Sequence, residues 1–364
     1  MKLKEIISIL EKTAPPVLQE SYDNSGLQIG TADESVKKAL ITLDVTDHVV
    51  DEAVQSGCDL IIAHHPLIFK GLKKLTGSSQ TERIVVRLIR ENIALYAMHT
   101  NLDNVDSGVN HKLGTVLGLK NLQILSPGAG SLKKLVTFCP VDHSEKLREA
   151  MFRAGAGHIG DYDSCSYNLT GVGTFRGLEG TDPFVGKKGE LHVEPETRIE
   201  TIVPDYRLDA VISAMIQAHP YEEVAYDIYP LDNQDPKTGA GMMGELESPV
   251  SAMEFLGQVK KILSSKALKY SGPADGQVKK VAICGGSGAF LIGTAFRKGA
   301  DIFITGDIKY HDYFEYADKM IIADAGHFET EQFTKALIHD ILKQKFPTFA
   351  LQISEVNTNP VNVL

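Results

Sequence analysis

The chain has 364 residues, 43% of them hydrophobic and 23% charged, and a formal net charge of -10. That length exceeds one ordinary core and suits two domains, and the composition is that of a globular chain rather than a disordered one. The acidic balance repels a phosphate backbone, which makes nucleic acid a poor default partner, and no long charge-free apolar run is present to span a bilayer.

The opening stretch MKLKEIISILEKTAPP predicts an amphipathic helix ended by Pro15 and Pro16. Glu5 and Glu11 interrupt what could otherwise imitate a signal peptide, so a cytoplasmic protein is expected. Asp23, Asn24 and Gly26 in YDNSGLQIG read as a turn. From Val36 short apolar runs alternate with amphipathic ones: VKKALITLD, a helical stretch from Thr46 to Gln55, DLIIAHHP, TERIVVRLIREN and IALYAMHTNLD. Runs of this kind separated by helices imply β-α-β units and a largely parallel sheet. After Gly276 the same grammar returns in VKKVAICGGSG, AFLIGTAFRKG, ADIFITGD, a short helix near Tyr313, KMIIADAGH and a long helix from Glu329 to Lys345.

The middle differs. From about Lys133 to Asn233 the order is strand, helix, two strands, helix, strand, the βαββαβ of a ferredoxin-like antiparallel sheet. Turn-rich joints flank it, LSPGAGS before and DNQDPKTGAGMMG after, where domain boundaries usually fall. The expectation is therefore an α/β chain: a doubly wound, mostly parallel core domain made from residues 1–126 and 241–364, interrupted by an α+β domain at 127–240. Cys58, Cys139, Cys165 and Cys284 stand far apart with no CxxC pair, which fits reduced core thiols better than a zinc knot or disulfides.

In open α/β sheets ligands collect at the carboxyl ends of strands. Three strands here run into metal-ligand residue types: DLIIA into His64 and His65, IALYAM into His99 and Asp103, and KMIIADAG into His327 with Glu331 four residues on. Residues i and i+4 share a helix face, so His327 and Glu331 can serve one metal or adjacent metals, while Glu329 should point elsewhere. Imidazole with carboxylate suits Zn first, with Fe, Mn, Co or Ni as alternatives, and the lack of a nearby cysteine argues against a soft thiolate site. Three histidines and two carboxylates exceed the ligands of one catalytic zinc and match two divalent ions sharing a carboxylate. A lone histidine after a strand is commonly just a hydrogen-bonded loop residue, so the joint pattern carries the reading. His99 is a candidate proton shuttle or a support for the ligands. Asp44 with Thr46, and Asp307 with His311, could line the same pocket, although helix capping is the simpler account of the aspartates. GGSG at Gly285–Gly288 lacks the lysine of a phosphate-binding loop and reads as a tight strand-to-helix turn.

Together YDNSGLQIG, LDVT, IIAHHPLIF, HTNLDN, ITGDIKYHD and GHFETE resemble the NIF-three-like family, also called GTP cyclohydrolase I type 2-like dinuclear-metal proteins. The resemblance covers two blocks, Met1 to about Ser126 and about Gly241 to Leu364. It implies His64, His65, Asp103, His327 and Glu331 as metal ligands and a toroidal homohexamer with its sites facing an internal cavity. The middle segment resembles the PII- and CutA-like domain inserted in longer family members, most recognisably at Ala218–Leu231; His219 and Glu222 there are left out of the metal site. Two functions are expected from this. One is a metal-dependent hydrolase acting on a nucleotide, amide or phosphoester, with GTP ring opening suggested by the family name. The other is a non-catalytic regulatory or scaffold protein whose insert senses a small molecule or contacts a partner.

Overall fold

A computed structural model describes residues 1–128 and 131–364, so the LSPGAGS joint lies partly outside the described residues. Helix α1 (Leu3–Thr13) forms at the expected place, with Leu3, Ile6 and Leu10 buried on one face. Then follow β1 (Gly26–Ile29), β2 (Lys38–Thr42), α2 (Asp47–Gln55), β3 (Leu60–Ala63), α3 (Gln80–Arg90), β4 (Ala94–Ala97), α4 (Thr100–Asp103), α5 (Val109–Val116) and β5 (Lys120–Pro127). The middle holds β6 (Leu132–Pro140), α6 (Ser144–Arg153), β7 (Ser166–Phe175), β8 (His192–Pro204), α7 (Leu208–Ala218) and β9 (Tyr226–Leu231). The chain finishes with β10 (Gly239–Ser251), α8 (Ala252–Ile262), β11 (Lys269–Ser271), β12 (Gln277–Ser287), α9 (Ile292–Arg297), β13 (Ile302–Gly306), β14 (Ile321–Asp324), α10 (His327–Glu331), α11 (Thr334–Lys345) and β15 (Ala350–Ile353). Two compact units result: Met1–Pro127 with Lys237–Leu364, and Gly128–Pro236.

The sequence predicts one doubly wound sheet in the first unit; the structure has two. A five-stranded sheet runs β1-β4-β3-β2-β15 and a six-stranded sheet runs β11-β14-β13-β12-β10-β5. In the first, β4, β3, β2 and β15 are parallel and β1 joins β4 antiparallel. In the second only β12, β13 and β14 are parallel, while β10, β5 and β11 pair antiparallel around them. Antiparallel strands flank the parallel blocks, β10 beside β12, β11 beside β14 and β1 beside β4, while parallel β15 forms the other edge of the five-stranded sheet.

The parallel strands are buried on both faces, which is why they read as unbroken apolar runs; every residue of β3, β4 and β14 is buried. Leu3, Ile6 and Ile338 pack on one side of the five-stranded sheet, and Val49, Val50, Ile84 and Leu88 on the other. Hydroxyl caps start three helices: Thr46 accepts from Val49 N, Ser79 from Glu82 N and Ser251 from Glu254 N, each bond contributing about 1 kcal/mol. The long helix expected from Glu329 to Lys345 is broken into α10 and α11.

The second unit has the expected βαββαβ order. Its sheet, β7-β8-β6-β9, is antiparallel throughout. Leu135, Cys139, Ile199 and Val203 of the sheet meet Leu147 and Met151 of α6 and Val211 and Met215 of α7 in one core. No helix among the described residues is long and apolar enough to cross a membrane.

Candidate metal centre

Both sheets of the first unit bring the carboxyl ends of their parallel strands to one place. The ladder continues past β3, with His64 N donating to Thr42 O and His65 N to Leu43 O, which fixes the backbone beneath both rings. After β4 the chain turns through His99, whose N–H donates to Asn101 Oδ1, and enters α4 with Asp103 at its end. From the other sheet, β14 leads through Gly326 (φ +103°) into α10, which carries His327 and Glu331. Gly306 lets that turn approach: a Cβ there would stand 2.6 Å from His327 N.

Each imidazole is anchored through one nitrogen. His64 Nδ1 donates to Met98 O, His65 Nδ1 to Asp44 Oδ1, His327 Nδ1 to Asp307 Oδ2 and His99 Nδ1 to Asp23 Oδ1, all at 2.7 Å. Such bonds set the tautomer and leave Nε2 uncommitted, the atom through which His64, His65 and His327 could ligate a metal. Glu331 is 3% exposed and stands among these nitrogens. Its Oε2 is 3.0 Å from His65 Nε2 and 3.1 Å from His327 Nε2, while its Oε1 is 3.7 Å from His64 Nε2. Asp103 Oδ1 is 3.8 Å from His64 Nε2. All five predicted ligands are therefore brought together. His99 joins them, its ring centre 5.4 Å from those of His64 and His65. Glu329 points elsewhere, accepting from Asn359 Nδ2.

Whether these residues suit a cation can be judged from what lacks a partner. His64 Nε2, Asp103 Oδ1 and Glu331 Oε2 are buried without a hydrogen bond, although such atoms are costly to leave unmatched. Ligand atoms of His64, His65 and Glu331 lie within 4.8 Å of one another, so this group can hold a metal ion. The electrostatics agree. Burial disfavours charge on His64 and lowers its pKa, keeping its lone pair available. Burial works the same way on His65 and His327, but the carboxylates of Asp44, Asp307 and Glu331 outweigh it and lift these two to about 10 and about 9. Burial and the Glu331 charge push Asp103 well above the usual carboxylate range. The donor set thus favours positive charge at its centre, and the residues fit a divalent cation.

Three aspartates orient the imidazoles in a way the sequence did not single out, although it had placed Asp44 and Asp307 as possible pocket residues with helix capping as the simpler account. Asp44 is not the cap of α2, a role taken by Thr46; it holds the His65 ring and itself accepts from Thr358 Oγ1. Asp307 holds His327 from a left-handed backbone (φ +55°), a conformation aspartate tolerates better than most side chains. Asp23, read as a turn residue, holds His99 and accepts from Thr100, and these bonds keep its carboxyl well below the ordinary range against the effect of burial. The available signal was position, since Asp44 and Asp307 both follow strands that end at this site. Cys284 is buried, and after burial itself the charges of Asp103 and Glu331 push its thiol pKa up; among the described residues the group that could hold a metal contains no cysteine. GGSG is a close-packed turn in which a Cβ on Gly286 would collide with Glu331 Oε1 and stand 3.3 Å from His327 Nε2.

Known proteins resemble this chain along nearly its whole length. A "GTP cyclohydrolase 1 type 2 homolog" of Halalkalibacterium halodurans is 41% identical over 360 residues, covering 98% of this chain and 97% of the relative. One of the same name from Bacillus subtilis is 40% identical over 370 residues, covering 99% and 98%. The crystal structure of a Bacillus cereus protein related to NIF3 superposes with a TM-score of 0.86 at 40% identity, covering 100% of this chain and 99% of that one. The family model Duf34/NIF3 (NGG1p interacting factor 3) matches residues 1–360, and the chain belongs to that family.

Proposed function

We propose that this protein is a metal-dependent hydrolase whose centre takes two divalent ions, zinc foremost, on His64, His65, Asp103, His327 and Glu331. The observation that carries the reading is the division made by Glu331: one oxygen faces His64, beside Asp103, and the other faces His65 and His327. One buried carboxylate between two imidazole sets is the arrangement of a shared ligand. Such a metal pair supplies Lewis-acid polarisation and lowers the pKa of water toward neutrality. The chain's own groups do the rest. Asp44 and Asp307 fix the rings, and His99, held by Asp23, is placed to carry a proton at Nε2.

The name of the relatives suggests GTP as substrate, opened at its imidazole ring, with other nucleotides, amides and phosphoesters as the wider class. The test is elemental analysis of protein purified without added metal, followed by incubation with GTP. About two ions per chain, loss of purine absorbance and release of formate are expected. A metal content near zero removes the site, and no formate from the loaded protein removes the GTP reading. Substitution of Glu331 should end any turnover found in a wider substrate screen.

The second reading, a metal-dependent regulatory or scaffold protein, draws on a cavity in Gly128–Pro236. Its antiparallel βαββαβ topology supports reading that segment as a PII/CutA-like inserted domain. Metal without turnover across the screen favours this alternative. The toroidal homohexamer belongs to both readings, and light scattering of the full chain tests it; a monomer in solution excludes it.

A further inference from the structure

The sequence stretch Ala218–Leu231 plays no part in the metal centre, yet part of it lines a cavity of 590 Å³ within Gly128–Pro236. The volume is that of a small-molecule site. Along β6 and β8 the core side chains Leu135, Cys139, Ile199 and Val203 face α6 and α7, so Phe138, Glu196 and Arg198 project from the opposite face, where the cavity lies. Phe175 and Phe184 close around Tyr221, with ring centres 5.9 and 6.3 Å from it. His219 is buried and spends both nitrogens on the scaffold: Nε2 bonds Phe138 O and Nδ1 accepts from Tyr221 N. That fixes Tyr221, whose hydroxyl donates to Glu196 Oε1 at 2.9 Å. Gly173 leaves room for the same carboxylate, because a Cβ there would collide with Glu196 Oε2. Arg198 is already committed, to Glu200 Oε1 at 2.8 Å and over the Phe138 ring at 5.6 Å.

The cavity therefore offers aromatic faces and three lining carboxylates, Glu196, Glu222 and Glu223; Glu222 accepts from Asp182 N, and Glu196 is the one that projects from the sheet face beside Tyr221 with spare acceptor capacity. We propose that it binds a small planar heteroaromatic ring bearing adjacent N–H donors, a guanine-type edge, with Glu196 accepting those donors and Phe175, Phe184 and Tyr221 enclosing the ring. A carboxylate accepts and does not donate, and its two oxygens have about four lone-pair directions, of which Tyr221 uses one. Two neighbouring N–H groups match it in the paired geometry that makes charged hydrogen bonds strong. An adenine-type edge sets an acceptor beside its donor and opposes the carboxylate, leaving a polar group unmatched.

The experiment is titration of the full chain with guanosine and adenosine, followed by calorimetry. Saturable guanosine binding is expected, with adenosine at least about tenfold weaker. Glu196→Gln should weaken guanosine at least about tenfold. Gly171→Val should abolish binding, since a Cβ at this lining residue meets nothing within 4 Å and the side chain grows into the cavity. Either variant suffices if the other fails to show the wild-type circular dichroism and melting curve. Glu331→Gln, in the other unit, should bind guanosine as the wild type does, which separates this site from the metal centre. The proposal is overturned by no saturable binding up to about 1 mM, by adenosine binding equally well, by displacement of guanosine with choline, or by folded cavity variants that bind normally. Loss of binding in Glu331→Gln alone likewise overturns it.

Discussion

His65 and His219 are both inward-facing imidazoles close to a glutamate, and they end in opposite states. His219 uses its two nitrogens on Phe138 O and Tyr221 N and has nothing left to offer a ligand. His65 uses only Nδ1, on Asp44, and directs Nε2 at Glu331 Oε2, an oxygen that itself lacks a hydrogen bond. Residue type does not separate a scaffold histidine from a ligand. What separates them is whether the second nitrogen is spent, because a buried polar atom without a partner is tolerated only where something else satisfies it.

Removing the shared ligand should break this comparison most severely. Glu331→Gln keeps the shape and removes the charge facing three imidazoles, so metal affinity should fall by more than about 100-fold, beyond the loss typical of a supporting residue. Metal content of the purified variant below one ion per chain is the expected result, and a wild-type content would contradict the shared-ligand assignment.

The anchors come next. Asp44→Ala frees the His65 ring and Asp307→Ala frees His327, each expected to weaken metal binding by about 10- to 100-fold without removing a ligand. Asp307→Gly sharpens the point, since it relieves a left-handed backbone while losing the same anchor. Its melting temperature should hold or rise as its metal affinity drops. A drop in both would mean that Asp307 serves the fold rather than the ring.

His219→Ala should behave in the reverse manner. It strands Phe138 O and Tyr221 N and should cost about 1–3 kcal/mol of stability in chemical unfolding, while metal content stays at the wild-type value. Lost metal in this variant would erase the distinction between the two histidines.

The five candidate ligands were legible in the sequence because each closes an apolar run or lies four residues after a histidine that does, and a buried parallel strand announces its own carboxyl end. The αβ order was legible for the same reason. The number of sheets was not, because periodicity identifies strands but does not say which edges pair; β10 between β12 and β5 is a tertiary outcome. Asp44 and Asp307 were legible as possible pocket residues, but which ring each anchors was hidden by distance along the chain, with Asp44 21 residues from His65 and Asp23 76 from His99.

The smallest effect concerns carboxylates and follows the same logic of spent and unspent atoms. Glu82 is buried where Asp103 is only half-buried, and unlike the Oδ1 of Asp103 it is satisfied: it accepts from Thr76 N and Oγ1, both at 2.9 Å, and from Ser78 N at 3.1 Å and Ser78 Oγ at 3.0 Å. Those donors, the Thr76 backbone first, hold its pKa down at about 2 against an ordinary 4.5. A carboxyl depressed by folding contributes stability that is fully present above the unfolded value and is lost as pH falls through the folded one. The stability difference between wild type and Glu82→Gln should therefore be constant above about pH 5 and shrink steadily toward pH 2. Denaturation of both proteins across that range measures it, and subtracting the variant removes the other acids that titrate there. A difference that does not change with pH would mean the Thr76 and Ser78 donors do not distinguish the charged from the neutral carboxyl, and that a satisfied carboxylate is no better held than an orphaned one.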